Sequence, residues 1–124
     1  MDTVTIRYFA PDVGAAVAFY RDRLGFDVRM HPAPGFAMLA CGNLRLLLNA
    51  PGAGGAGQAM PDGTLPSPGG WNRLQIEVED LDATLARLRD DHAVFRNEIV
   101  HGKGGRQILL EDPAGNPIEL FQPV

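Results

Sequence analysis

Few side chains in this sequence can do covalent chemistry. Cys41 is the one cysteine. It precedes a turn glycine and has no evident activating partner, so neither a nucleophile, an intrachain disulfide nor a cysteine-based zinc site is expected. His31, His92 and His101 are scattered and read as surface or loop residues. Gly102-Lys103-Gly104-Gly105-Arg106 has the glycines of a phosphate cradle, but no helix follows to back its N–H groups, so a hairpin turn is expected there. What remains is a set of side chains in strict alternation. Thr5, Arg7 and Phe9 alternate with Val4, Ile6 and Tyr8. Arg73, Gln75 and Glu77 alternate with Leu74, Ile76 and Val78, and Glu119 and Phe121 with Ile118 and Leu120. One face of such strands is apolar. The other mixes guanidinium, amide, carboxylate and aromatic groups, which suits a lined ligand pocket. It equally suits a solvated outer sheet face, and the alternation alone does not choose. Trp71, the only tryptophan, stands at the entrance to one of these strands, where it can stack on a flat ligand or pack at an interface.

These side chains need strands to carry them and helices to cover the opposite face. Thr3 to Phe9 reads as a strand. Asp12 is an N-cap, since its carboxylate can accept from unpaired N–H groups. Val13, Ala16, Val17, Tyr20 and Leu24 then recur at helical spacing, and Gly25 stops the helix. Strands are expected near 26–30, 36–40 and 44–49. The second half repeats the plan: a strand over 71–79, Asp80 capping a helix with Leu81, Thr84, Leu85 and Leu88, then strands near 94–100, 107–111 and 117–122. Asp112-Pro113-Ala114-Gly115-Asn116-Pro117 is dense turn chemistry. His92 falls where the second helix should end, at a site better suited to Gly or Asn. A shift of 68 residues superposes Asp12 on Asp80, Ala15 on Ala83, Ala18 on Ala86, Arg21 on Arg89 and Asp22 on Asp90, which marks an internal repeat. Between the halves, residues 49–70 hold seven Gly and four Pro in 22 positions. They read as a linker or long mobile loop.

Composition limits the function classes. The chain has 124 residues, with 11 basic and 15 acidic side chains and a formal charge of −4. Such a balance offers no general attraction to nucleic acid or an anionic membrane surface. Hydrophobic residues make up 45%, enough for a core. The longest apolar runs, 13–20 and 36–41, are too short to cross a bilayer. Met1-Asp2-Thr3-Val4 lacks the basic and apolar regions of a signal peptide, so a cytoplasmic location is expected.

The segment Asp12 to Phe26, DVGAAVAFYRDRLGF, resembles the D-x-x-x-x-x-x-F-Y-x-x-x-L-G-F opening of the glyoxalase, bleomycin-resistance and extradiol-dioxygenase (vicinal oxygen chelate) superfamily. Asp112 to Leu120, DPAGNPIEL, resembles its D-P-x-G-N-x-x-E-L ending. The resemblance spans nearly the whole chain. It implies an α+β fold of two tandem βαβββ modules forming a cup-shaped mixed sheet with helices on the outer face. The expected organisation is a single domain over 1–124, with module one about 1–49, a Gly/Pro-rich linker 50–70 and module two about 71–124. A homodimer is implied as well.

Metal-using members of that superfamily place ligands at four pseudo-symmetric strand positions. By the resemblance these fall here on Thr5, Leu46, Arg73 and Glu119, the second assigned by matching Gly42-Asn43 with Gly115-Asn116. Leu has no donor, neutral Thr is a poor ligand, and Arg is always charged. One carboxylate does not hold a divalent ion, so no metal and no cofactor is expected. Arg73 and Glu119 are instead expected to come together, as a buried or half-buried salt bridge that fixes the two modules or as a pair that receives a ligand carboxylate, phenolate or carbonyl. General-base work by Glu119 ranks last, because an adjacent cation makes a carboxylate a weaker base. The implied function is a metal-independent, bleomycin-resistance-like protein that sequesters a drug-like or aromatic small molecule in a cup or dimer cleft. Its expected ligand contacts are Arg7, Phe9, Phe36, Met38, Met60, Trp71, Arg73, Gln75, Glu119 and Phe121, with Arg106 at the cup mouth. The alternative is a lyase, isomerase or dioxygenase of the same superfamily using Glu119, with or without a divalent metal.

Overall fold

The structure is a computed structural model and describes residues 3–124. Residues 1 and 2, at the start of the expected first module, lie outside the described residues. The chain divides into two compact units, the first ending at Gly69 and the second spanning Gly70–Val124.

The first unit runs β1 (Val4–Phe9), α1 (Val13–Leu24), β2 (Asp27–Ala33), β3 (Phe36–Cys41) and β4 (Leu44–Asn49). The strands form one sheet in the order β1-β4-β3-β2, with β1 parallel to β4 and the other pairs antiparallel. Helix α1 begins as its sequence dictates: the Asp12 carboxylate accepts from the Ala15 N–H at 3.0 Å. It ends at Gly25 with φ 75°, a left-handed turn that a residue with a Cβ resists. The Phe26 N–H then donates to the Tyr20 carbonyl, and the Phe26 ring packs on Tyr20. Val13, Ala16, Val17 and Tyr20 are buried, and α1 lies on β2, β3 and β4. Beneath it sit Leu39, Leu46 and Leu48, all fully buried.

The second unit runs β5 (Leu74–Glu77), α2 (Leu81–Asp90), β6 (Val94–Phe95), β7 (Val100–His101), β8 (Gly105–Glu111) and β9 (Pro117–Pro123). Its five strands follow the order β5-β9-β8-β6, and β7 also pairs with β8. Asp80 caps α2 by accepting from the Ala83 N–H at 3.0 Å, the counterpart of the first cap. Leu81, Leu85 and Leu88 are buried, as are Ile108, Leu110, Ile118 and Leu120 of the sheet. At the other end the left-handed residue is His92, with φ 62°. The Ala93 N–H reaches the Leu88 carbonyl around it.

Three expectations change. The strand expected over 94–100 is broken into β6 and β7, and the one expected over 71–79 shortens to β5. Strand β2 extends to Ala33, but with register irregularities against β3. Residues 50–70 carry no regular element, yet they are tied by backbone bonds: Ala50 N–H to Gly35, Gly57 N–H to Ala53, Gly52 N–H to Gly57 and Met60 N–H to Thr64. The Asp62 carboxylate accepts from the Thr64 N–H, which holds its pKa below the usual carboxylate range. No helix among the described residues is long and apolar enough to cross a membrane.

Candidate functional site

Strand pairing decides which side chains share a face, because residues directly opposite each other point the same way. In the first unit Arg7 lies opposite Leu47 and Phe9 opposite Asn49. Met38 lies opposite Leu47 and Phe36 opposite Asn49. Arg7, Phe9, Phe36, Met38, Leu47 and Asn49 therefore stand together on the sheet face away from α1. Most of this patch is apolar. Its polar element is one hydrogen bond, from Arg7 Nε to Asn49 Oδ1 at 2.9 Å.

In the second unit Gln75 lies opposite Glu119 and Glu77 opposite Phe121. Leu109 lies opposite Glu119 and Gln107 opposite Phe121. This face centres on Glu119, which is only 7% exposed. Arg73 donates to Glu119 Oε1 from both Nε (3.0 Å) and Nη2 (2.9 Å). Gln75 Nε2 donates to Oε2 at 2.6 Å. The Arg73 side chain remains 29% exposed, and its Nη1 turns back to the Trp71 carbonyl. Burying a carboxylate is expensive unless charge and hydrogen bonds compensate. Here both oxygens are engaged, and because Arg73 and Glu119 belong to the same unit the pair secures that unit rather than fixing two modules together.

Arg96 organises the edge of the second sheet. Its Nε donates to Glu111 at 2.8 Å, its Nη1 to the Gly70 carbonyl at 2.8 Å and its Nη2 to the Gly115 carbonyl at 2.9 Å. Its guanidinium also lies 5.3 Å from the centre of the Trp71 ring, a cation–π contact. Trp71 is 74% exposed. A depression of about 580 Å³ is lined by Gly70, Trp71, Phe95, Arg96 and Glu111.

The expected site residues thus fall into separate groups. Arg7, Phe9, Phe36 and Met38 share the first-unit face. Arg73, Gln75, Glu119 and Phe121 share the second-unit face. Trp71 joins Arg96 at the sheet edge. Met60 stands in the turn closed by Thr64 and is half exposed. Arg106 lies on the opposite, α2 side of its sheet: its Nη2 donates to Asp82 at 3.2 Å and to Gln122 at 3.0 Å, and Gln122 also accepts the Leu81 N–H. The strand pairing through Gln122 turns Arg106 away from Glu119.

Three participants escaped the sequence reading. Asn49 ends an apolar strand and is only 3% exposed; a polar residue in phase with Arg7 was the available signal. Leu47 was displaced by the assignment of Leu46. Leu46 lies opposite Ile6 and Leu39, fully buried beneath α1. The turn between β8 and β9 is longer than the one between β3 and β4, so matching their Gly-Asn pairs slips the register by one and reverses the face. Arg96 had no signal, since two of its partners are backbone carbonyls far away in the chain.

The corrected set of family metal positions is Thr5, Leu47, Arg73 and Glu119. It fits a divalent ion no better than the expected set: Leu47 has no donor, Arg73 is a cation, and Glu119 is already paired. Among the described residues no three His, Cys, Asp or Glu side chains gather where they could hold a metal.

The family model described as Glyoxalase/Bleomycin resistance protein/Dioxygenase superfamily matches residues 2–120. No curated protein matches the chain. Among solved structures, TnmS3, an antibiotic binding protein from Streptomyces sp. CB03234, is 26% identical with a TM-score of 0.74, covering 100% of this chain and 97% of that one. Lactoylglutathione lyase from Agrobacterium tumefaciens is 23% identical with a TM-score of 0.74, covering 96% and 91%. TioX from Micromonospora sp. ML1 is 21% identical with a TM-score of 0.73, covering 100% of both chains. The last two likenesses establish the fold alone.

Proposed function

The chain belongs to the Glyoxalase/Bleomycin resistance protein/Dioxygenase superfamily, and we propose that within it this protein binds and sequesters a drug-like or aromatic small molecule without a divalent metal. The observation that carries the reading is the state of Glu119. It is the only carboxylate among the four family metal positions, and Arg73 and Gln75 hold both its oxygens. A metal or a proton-transfer role would have to compete with that arrangement, which disfavours the enzymatic alternative. The apolar patch of Phe9, Phe36, Met38 and Leu47 supports the ligand class, since pockets for flat molecules combine apolar walls with a few polar anchors. The likeness to TnmS3, an antibiotic binding protein, supports it further.

In this reading Arg7, Phe9, Phe36 and Met38, on the first-unit face, contact the ligand. A homodimer in the cytoplasm, with 1–124 acting as one domain, belongs to the same proposal; light scattering of the purified protein tests the dimer. The main test is isothermal titration of planar aromatic natural products in the presence of a chelator. The reading expects saturable binding that the chelator leaves unchanged and that Phe36→Ala or Phe9→Ala weakens about tenfold, the loss of roughly 1.4 kcal/mol. Binding that appears only with added divalent ion contradicts it. So does turnover of a bound compound that Glu119→Gln abolishes in a folded protein.

A further inference from the structure

We infer that the ligand is an aromatic acid, a planar apolar molecule whose carboxylate is received by Arg7; the inference rests on the binding reading above. The arginines of the two strand faces are in opposite states. Arg73 spends Nε and Nη2 on a carboxylate. Arg7 spends only Nε, and on a neutral amide. Among the described residues, nothing accepts from Arg7 Nη1 or Nη2, and no acidic side chain pairs with it. Its Nη1–Nη2 edge therefore stands unpaired among the described residues, on a face that carries Phe9, Phe36, Met38 and Leu47 beside Asn49 and a second cation, Arg45.

The bond to Asn49 makes this more than a solvated side chain. Asn49 is buried, and its Nδ2 donates to the Ala53 carbonyl at 3.4 Å. That contact sets which end of the amide faces Arg7, so the acceptor Oδ1 is presented to Nε. A guanidinium pinned through Nε keeps its Nη1–Nη2 edge available, and that edge matches the two oxygens of a carboxylate. A carboxylate beside an aromatic ring satisfies both the fork and the apolar wall. Asn49 is then a positioning residue and Arg7 the residue that reads charge. Arg45, on the same face, does not serve: its Nη1 is turned onto the carbonyls of Gly42 and Leu44.

The test compares two probes of one shape, 2-naphthoate and 2-naphthamide, by isothermal titration at low ionic strength. The wild-type protein is expected to bind the acid about tenfold more tightly than the amide, the margin of one charge-assisted pair over a neutral contact. Arg7→Gln removes that preference by weakening the acid alone, while Arg45→Gln leaves it in place. Arg7 is exposed at the surface, so its replacement does not threaten the fold. Equal binding of both probes to the wild type, or a preference that survives Arg7→Gln, overturns the inference and leaves the aromatic-binding reading standing. Failure of the acid to bind the wild type, with or without the amide, overturns the inference, and failure of both probes counts against the binding reading itself.

Discussion

In the first unit the sheet face away from the helix gathers Phe9, Phe36, Met38 and Leu47 around a single bond between Arg7 and Asn49. In the second unit the corresponding face is centred on a buried carboxylate held by Arg73 and Gln75. The two helices start alike, with Asp12 and Asp80 each accepting from the N–H three residues on. The difference lies in the register partners of the last strands: Leu47 opposite Arg7, and Glu119 opposite Gln75. One scaffold therefore supports an apolar face with an open cation and a polar face whose charges are closed on themselves. On the binding proposal above, the first face would receive the ligand, while the closed charges of the second would serve stability.

Removing the central residue of each face sharpens that assignment. Glu119→Ala strands the Arg73 charge and the Gln75 amide, and urea denaturation is expected to show a loss of roughly 2–3 kcal/mol. The partial exposure of Arg73 keeps this below the cost of breaking a fully buried pair. Leu47→Ala removes half-buried apolar surface and is expected to cost only about 1 kcal/mol. Equal losses break the comparison. The helix starts are expected to behave alike: Asp12→Ala and Asp80→Ala each lower stability by about 1 kcal/mol in the same assay. The smallest effect lies at the helix ends. Gly25 adopts its left-handed φ freely, whereas His92 adopts φ 62° with a Cβ. His92→Gly is expected to raise the midpoint of unfolding, a gain of about 0.5–1 kcal/mol at most in unfolding free energy, because the relief of strain outweighs the added freedom of the unfolded chain. A lowered midpoint would mean that the His92 side chain contributes packing.

Much of this was legible in the sequence because it depends on local chemistry. The caps, the Gly25 stop and the alternating strands follow from residue type and spacing, and the Arg73–Glu119 pair follows from the family resemblance, which places both at positions that converge. The misfit of His92 at a helix end was legible too, and the structure turns it into a left-handed residue. What was not legible depends on register across distant strands. Leu46 and Leu47 are both apolar, so their composition gives no warning of a one-residue slip; only pairing with Ile6 or Arg7 separates them. Arg106 looked like a loop residue at the rim, but β8 begins at Gly105 and commits its side chain to Asp82 and Gln122. Arg96 is joined to the Gly70 and Gly115 carbonyls by folding alone.

The claim on which the account turns is that the strand faces of this superfamily member hold no divalent ion. The direct measurement is elemental analysis of the purified protein after incubation with a mixture of divalent ions and desalting. The account predicts metal far below one ion per chain. A stoichiometric ion, lost on Glu119→Gln, would contradict it and make Glu119 a ligand released from Arg73 and Gln75.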